Sequence, residues 1–458
     1  MQGQQQYQHQ LFHYFDIESL IPQNHLLRKI NSNVDLSFVR ELTESFYCQN
    51  NGRPSVDPEI FFRIILIGYL YGIDSDRQLC DEIQYNLAYR WFCKLRLEDK
   101  VIDHSSLTRI RDRFGLDTFN KFFIKIVEQC QELGLVKGER IMTDGTLFQA
   151  NASLDSLISN HKDEIKKENK EITRRGLEAP SSRKISNKTH VSKTDPDASL
   201  AFKNGTPRTL KYKAHMTIDA DSRVVLDAKI TTGATHESQV YLQQIETIEK
   251  DLKLNVNMAI ADRAYGSGDI IQSLIDKQIE PNIPLFSGRS GTNKEPEGFI
   301  YDKENNCYEC PAGHYLNACP TINNNTITYH SKSNDCASCQ LKTTCKAKPK
   351  RFKKIRMITR HVHKELFAHV KQSMKKESFQ ENLVERMWKM EGIISEAKQR
   401  HCLSRAKYRG LMKTQIQAYM VGSVLNMKRL VAFFILLFIY AQIRKLFYMS
   451  NTKRGYAI

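Results

Sequence analysis

Residues 139–151 read ERIMTDGTLFQAN, and this is where the chain changes period. Before it, apolar residues recur at helical spacing; here Ile141 and Met142 lead into Asp144-Gly145 and then Leu147 and Phe148, which predicts a strand carrying Asp144. Working downstream, KYKAHMTIDA (211–220) and RVVLDAKITTG (223–233) flank Asp221-Ser222 and read as a hairpin. A helix from about Ser238 to Leu252 leads into NVNMAIADRAYGSG, an apolar run that stops at Asp262. The helix GDIIQSLIDKQ and the run EPNIPLF then supply a fifth strand. Strand, hairpin, helix, strand is the order of an RNase H-like core. The expected fold class is therefore α+β, or mixed: an all-helical N-terminal domain, then an RNase H-like α/β core with insertions, one of them Cys-rich.

Working upstream, residues 1–135 read as helical. Asp57-Pro58 offers a capped start to EIFFRIILIGYLYGI, apolar almost all round and so expected at the centre of its domain. SDRQLCDEIQYNLAYRWFCKL and DHSSLTRIRDRF follow, the latter carrying Arg109, Arg111 and Arg113. Their order suits a helix-turn-helix that sets these arginines against DNA, and it equally suits a helical bundle with a solvated basic face. The expected division is 1–135 (helical, DNA-binding), 136–288 (first part of the core, with a polar insertion at about 155–210), 289–350 (Cys-rich insertion) and 351–458 (last part of the core and basic C-terminal helices).

The 458 residues hold 68 Lys and Arg against 51 Asp and Glu, a formal charge of +17, which favours a polyanionic partner, nucleic acid first. The excess is local. From Lys346 to Lys371 ten basic residues face one acid, Glu365, and from Ala397 to Ile458 twelve face none. MQGQQQYQHQ at the start lacks the basic and apolar regions of a secretory signal, so a cytoplasmic, nucleoid-associated protein is expected. The apolar run Leu430–Ala441 is 12 residues long, short of the ~20 that span a bilayer, and is expected to be a buried helix with no membrane partner.

Cleaving and rejoining phosphodiesters requires an activated hydroxyl and a stabilised leaving oxygen, which two hard metal ions roughly 3.5–4 Å apart provide on carboxylate ligands. Asp144 and Asp262 each stand at or near the end of an apolar strand and precede glycine-containing sequence. A third carboxylate is sought in SFQENLVERMWKMEGIISEAKQR, among Glu381, Glu385, Glu391 and Glu396. At 3.6 residues per turn Glu391 shares a face with Val384, Trp388, Ile394 and Lys398, and is expected among apolar neighbours; pairing with a buried Lys or Arg is the competing reading. The cysteines offer a second metal chemistry. Cys336 and Cys339 have C-x₂-C spacing, Cys345 follows, and Cys310 completes a tetrahedral set for one structural Zn²⁺, with Cys307, Cys319 and His314 as rival ligands.

Several of these segments together resemble bacterial insertion-sequence transposases of the DDE superfamily, to about Leu430. NHLLRKI, NGRPSVDPEIFFRIILIGYLYGI and DHSSLTRIRDRF look like the helical domain before the core; TDGTLFQAN, KTDPDASL, YKAHMTIDADSRVV, ADRAYGSG, SRAKYRGL and NMKRL look like core signatures. The resemblance implies that Asp144, Asp262 and Glu391 form a catalytic triad holding Mg²⁺ or Mn²⁺, and that Lys398 matches the family lysine seven residues after the glutamate and contacts DNA. It implies as partners double-stranded DNA, both terminal inverted repeats and target, with a homodimer expected from the need to join two ends. A catalytically inactive DNA-binding regulator derived from a transposase is the alternative. Met387 departs from the pattern, standing where an arginine is expected, with Arg386 adjacent; the tail after Leu430 fits the resemblance poorly.

Overall fold

The computed structural model describes residues 16–48, 55–159, 185–202, 205, 207–285, 295–323, 325–350 and 355–454. Much of the polar insertion, at 160–184, and residues 351–354 of the basic stretch lie outside them. The chain mixes helix and sheet. In order come α1 (Ile17–Leu20), α2 (Leu26–Asn33), α3 (Phe38–Thr43), α4 (Pro58–Tyr71), α5 (Asp76–Tyr85), α6 (Leu87–Phe92) and α7 (His104–Glu132). Then follow β1 (Arg140–Gln149), β2 (Leu157–Ser159), β3 (His190–Ser192), β4 (Ser199–Ala201), β5 (Thr209–Asp219), β6 (Val225–Thr232), α8 (Tyr241–Leu252), β7 (Met258–Ile260), α9 (Gly268–Asp276) and β8 (Glu280–Asn282). The remainder is β9 (Ile300–Asp302), β10 (Cys307–Glu309), β11 (Tyr315–Asn323), β12 (Thr326–His330), α10 (Ser333–Ala337), β13 (Lys348–Pro349), β14 (Arg356–His361), α11 (Lys364–Ser373), α12 (Glu377–Arg400) and α13 (Leu411–Arg454).

These elements form two compact units, Met1–Val256 with Trp388–Ile458, and Asn257–Met387. In the first unit α4 is the central helix. Asp57 accepts a hydrogen bond from Glu59 N at 2.8 Å, Pro58 occupies the first turn, and every residue from Phe61 to Leu70 is buried. An aromatic cluster locks α4 to α7, with Phe62 stacked on Phe122 at 4.5 Å between centroids. The helix ends at Gly72 in the left-handed region (φ 70°), where a Cβ would lie 3.0 Å from the Arg400 carbonyl oxygen.

In the same unit β5 is the middle strand. It pairs antiparallel with β1, from Ile141↔Asp219 to Gln149↔Lys211, and on its other edge with β6 and β4. The outer edge of β6 is closed by side chains: Asn426 accepts from Val225 N (2.7 Å) and donates to its carbonyl (2.9 Å), while Gln415 accepts from Ile230 N (2.7 Å) and donates to the Ala228 carbonyl (2.6 Å). Two buried amides thus replace a neighbouring strand. Both lie on α13, which also packs on α7, and residues 388–458 group with the first 256 in one compact unit.

One expectation about α13 is corrected. Leu430 and Val431 are buried, but Leu436, Phe438 and Tyr440 are each about two-thirds exposed (64%, 65% and 64%), so most of the Leu430–Ala441 run is not a buried helix. The part of α13 before this run is buried against β6 and α7, and beyond Val431 the helix is largely uncovered. By length and composition alone, the stretch Leu411–Arg444 is long and apolar enough to cross a membrane.

The second unit holds β7 and β8 in parallel register (Met258↔Glu280, Ile260↔Asn282), with α9 between them in the chain. Strands β13-β14-β12-β11-β10-β9 form an antiparallel sheet in that order, over a core of Phe299, Tyr308, Leu316, Tyr329 and Ile358. The cysteine-rich stretch forms this sheet and the short α10.

Candidate active site

Asp144 sits in the middle of β1, half-buried, where its Oδ1 accepts a hydrogen bond from Gly145 N at 2.8 Å. Side chains alternate along a strand, so Gly145 faces the opposite side of the sheet from Asp144. There the Glu237 side chain approaches so closely that a Cβ on residue 145 would lie 2.9 Å from its Cγ. Glycine after Asp144 therefore makes room for Glu237, which pairs with Lys213 at 3.0 Å, and not for a substrate on that face. His215, opposite Gly145 in the register, lies 2.9 Å from the Thr231 hydroxyl, and burial holds its imidazole down to about 4, hence neutral at pH 7.

Glu391 lies on α12 but is exposed, which corrects the expectation of an apolar setting. The buried face of this helix carries Arg386, Lys389, Met390, Ile393 and Ala397, whereas Val384 and Trp388, the supposed apolar neighbours, are 58% and 51% exposed. Apolar character alone misjudged the orientation, because two cations take up inward positions: Lys389 is buried with its ammonium on the Ala220 carbonyl, and Arg386 is 8% exposed. Glycine at 392 fits the Arg223 guanidinium, 2.8 Å from where a Cβ would stand. Glu396, by contrast, is engaged: His401 at 3.7 Å, the Lys428 ammonium and Arg429 at 3.1 Å hold its carboxyl near 2. It is a structural ion cluster.

Within the first unit these contacts lay α12 beside β1. Lys389 reaches Ala220, whose N–H bonds the Arg140 carbonyl at 2.8 Å, and Lys398 Nζ donates to the Leu147 carbonyl at 2.8 Å. The turns from 389 to 398 thus follow the strand from Arg140 to Leu147, the stretch that carries Asp144. Lys398 is tied to the strand backbone.

Asp262 belongs to the second unit. It ends the β7 run, accepts from Ala264 N at 2.8 Å as the cap of a short 3₁₀ turn, and lies 3.8 Å from the Arg386 guanidinium. Arg386 thus contacts an expected catalytic aspartate, and Met387, 51% exposed, does not occupy that inward position.

Two further expectations are affected. Among the described residues no group of three or more His, Cys, Asp or Glu side chains is gathered closely enough to hold a metal ion. It lends no support to the zinc set on Cys310, Cys336, Cys339 and Cys345: Cys310 and Cys345 pack against the tyrosine-rich core of the sheet, and Cys336 Sγ meets the Ser331 hydroxyl at 3.0 Å. Arg111 is buried at 2% exposure, bonded to Asp76 at 2.9 Å and stacked over Tyr408 at 4.3 Å, so it braces the helices and is not open to DNA. Arg109 and Arg113 remain exposed.

Two residues noted only as part of a resembling motif have a structural task. Asp195 is fully buried and accepts from the Tyr212 hydroxyl (2.6 Å) and Gly410 N (3.1 Å); Asp197 accepts from Leu411 N (2.8 Å). KTDPDASL thereby caps the start of α13, where SRAKYRGL ends. The signal in the sequence was an Asp-Pro-Asp remote from any helix of its own.

Two family models match the chain: one described as a transposase domain (DUF772) over residues 15–113, the other as a transposase DDE domain over residues 309–431. No curated protein matches it. Among solved structures it is similar to the piggyBac transposase in a cryo-EM synaptic complex with hairpin DNA, at 10% identity and a TM-score of 0.36, over 89% of this chain and 74% of that one, a likeness too slight to decide anything here. The likeness of this chain to DDE-type transposases is therefore shown on two separate segments, its N-terminal helices and the stretch that carries Glu391.

Proposed function

We propose that this chain is a DDE transposase with an RNase H-like core, cutting DNA at the ends of an insertion sequence and joining them to a target. The observation that carries the reading is the course of α12 along β1, which brings the helix of Glu391 beside the strand of Asp144. Asp262, with Arg386 at its carboxylate, is the third member. All three present hard oxygen donors, the type Mg²⁺ or Mn²⁺ takes, although the described side chains do not gather into a metal group. When bound, such ions supply an activated hydroxyl and charge on the leaving oxygen. Each carboxylate is held within its own unit: the β1 backbone holds Asp144, the 3₁₀ turn and Arg386 hold Asp262, and Lys389 and Lys398 hold the helix bearing Glu391. The helices to residue 135, with Arg109 and Arg113 outward, are the proposed element that binds the terminal repeats, and two copies are needed to hold two ends.

Nicking of a terminal-repeat duplex by the purified chain with Mg²⁺ tests this. Asp144→Asn, Asp262→Asn and Glu391→Gln are each expected to lower cleavage by at least about a thousandfold, on the ~10²–10³ scale of losing one electrostatic stabiliser and beyond, with DNA affinity kept. Binding without cleavage in the unsubstituted chain would leave the inactive regulator. Cleavage retained in Glu391→Gln alone would move the third carboxylate elsewhere on α12.

A further inference from the structure

A cavity of about 430 Å³ opens at the far end of β1 from Arg140, lined by Asn151, Ser153, Ser156, Thr194, Arg405 and Arg409 among others. None of its lining residues is acidic. The nearby carboxylates are engaged: Asp155 accepts from the Ser153 hydroxyl at 2.9 Å, and Asp197 from Leu411 N. Two exposed arginines converge on one residue, Arg409 Nε on the Asn151 carbonyl at 3.2 Å and Arg405 at 3.4 Å from the Asn151 side-chain oxygen. One or two bonds apiece leave most of each guanidinium's five N–H groups for a ligand.

The backbone here is rigid. Gln149 and Arg405 form a parallel bridge, with Gln149 N on the Ser404 carbonyl at 3.1 Å and Ala406 N on the Gln149 carbonyl at 2.7 Å. Arg405 is thereby fixed to the strand that carries Asp144, five residues away.

We infer that this cavity is a phosphate site, in which Arg405 and Arg409, with the Thr194 hydroxyl beside them, grip the DNA backbone. The fork geometry of paired guanidiniums beside a hydroxyl donor suits a phosphate and no cation. Because both arginines are exposed and reach back only to Asn151, the site is separable from folding. The inference rests on the transposase reading for its choice of DNA as the source of the phosphate.

The test is DNA affinity of the full chain, measured on a terminal-repeat duplex with EDTA present so that cleavage plays no part. Arg405→Gln with Arg409→Gln is expected to weaken binding about tenfold and to flatten the dependence of log affinity on log salt by about one, the signature of one lost phosphate contact. Arg405→Lys with Arg409→Lys should restore the salt slope but not the full affinity. An unchanged affinity and slope in the Gln variant overturns the inference while leaving the transposase reading intact. Loss of affinity in the Gln variant of a chain that nicks nothing upholds the inference and removes the enzyme. No DNA binding by the unsubstituted chain overturns both. In a parallel titration with inorganic phosphate alone, binding lost in the Gln variant whose DNA affinity is intact assigns the cavity to a free anion and overturns the DNA assignment.

Discussion

Two carboxylates away from the proposed chemistry make opposite demands on pH. Glu396 is held near 2 by His401, Lys428 and Arg429, so its contribution is complete above the ordinary glutamate range and is lost as pH falls from about 4.5 toward 2. Asp227 is the reverse case. Buried on β6, where Gln244 donates to it at 2.6 Å, it is pushed up by burial to about 6, so the fold it supports is fully favoured below about 4 and loses stability as pH rises through 6. Asp227→Asn is expected to raise the melting temperature at pH 8 by a few degrees and to leave it nearly unchanged at pH 4. Glu396→Gln should cost ~1–3 kcal/mol at pH 7 by leaving Lys428 and Arg429 without their carboxylate, and little at pH 2. Thermal melts of both variants across pH 2–8 check the two signs.

At the scale of elements, α13 does two separable things. Its first half replaces a strand: Gln415 and Asn426 satisfy four backbone groups on the edge of β6. Asn426→Leu or Gln415→Leu should each destabilise by about 1–3 kcal/mol, read from urea melts, since buried backbone groups would lose their partners. An unchanged midpoint would mean water replaces the amide. The second half buries little. Ending the chain after Phe434 removes Leu436, Phe438 and Tyr440, so the melting temperature should change by less than a degree or two while self-association, followed by light scattering, falls. Loss of the folded state on that truncation would show that the exposed length is needed after all. On α7 charge alone misleads: Arg111, read from the sequence as one of three arginines facing DNA, is consumed by Asp76 and Tyr408, while Arg109 and Arg113 stay exposed.

At the scale of the molecule, the sequence by itself determined the elements and the identity of the acidic candidates. The strand at 140–149, the hairpin about Asp221-Ser222, the helix ending at Leu252, and the capped, all-round apolar α4 were legible because period, turn residues and caps are local properties of the chain. What only the tertiary structure decided is which way each element faces and what each polar group meets. Glu391 was set among apolar neighbours by a helical wheel, yet its face points outward because Lys389 and Arg386 found carbonyl and carboxylate partners inward. The cysteines had a zinc-like spacing, yet sheet formation sent two of them onto an apolar core. Spacing fixes how far apart two groups are along the chain, whereas burial and ligation depend on partners hundreds of residues away, as Asp195 with Gly410 and Gln149 with Arg405 show.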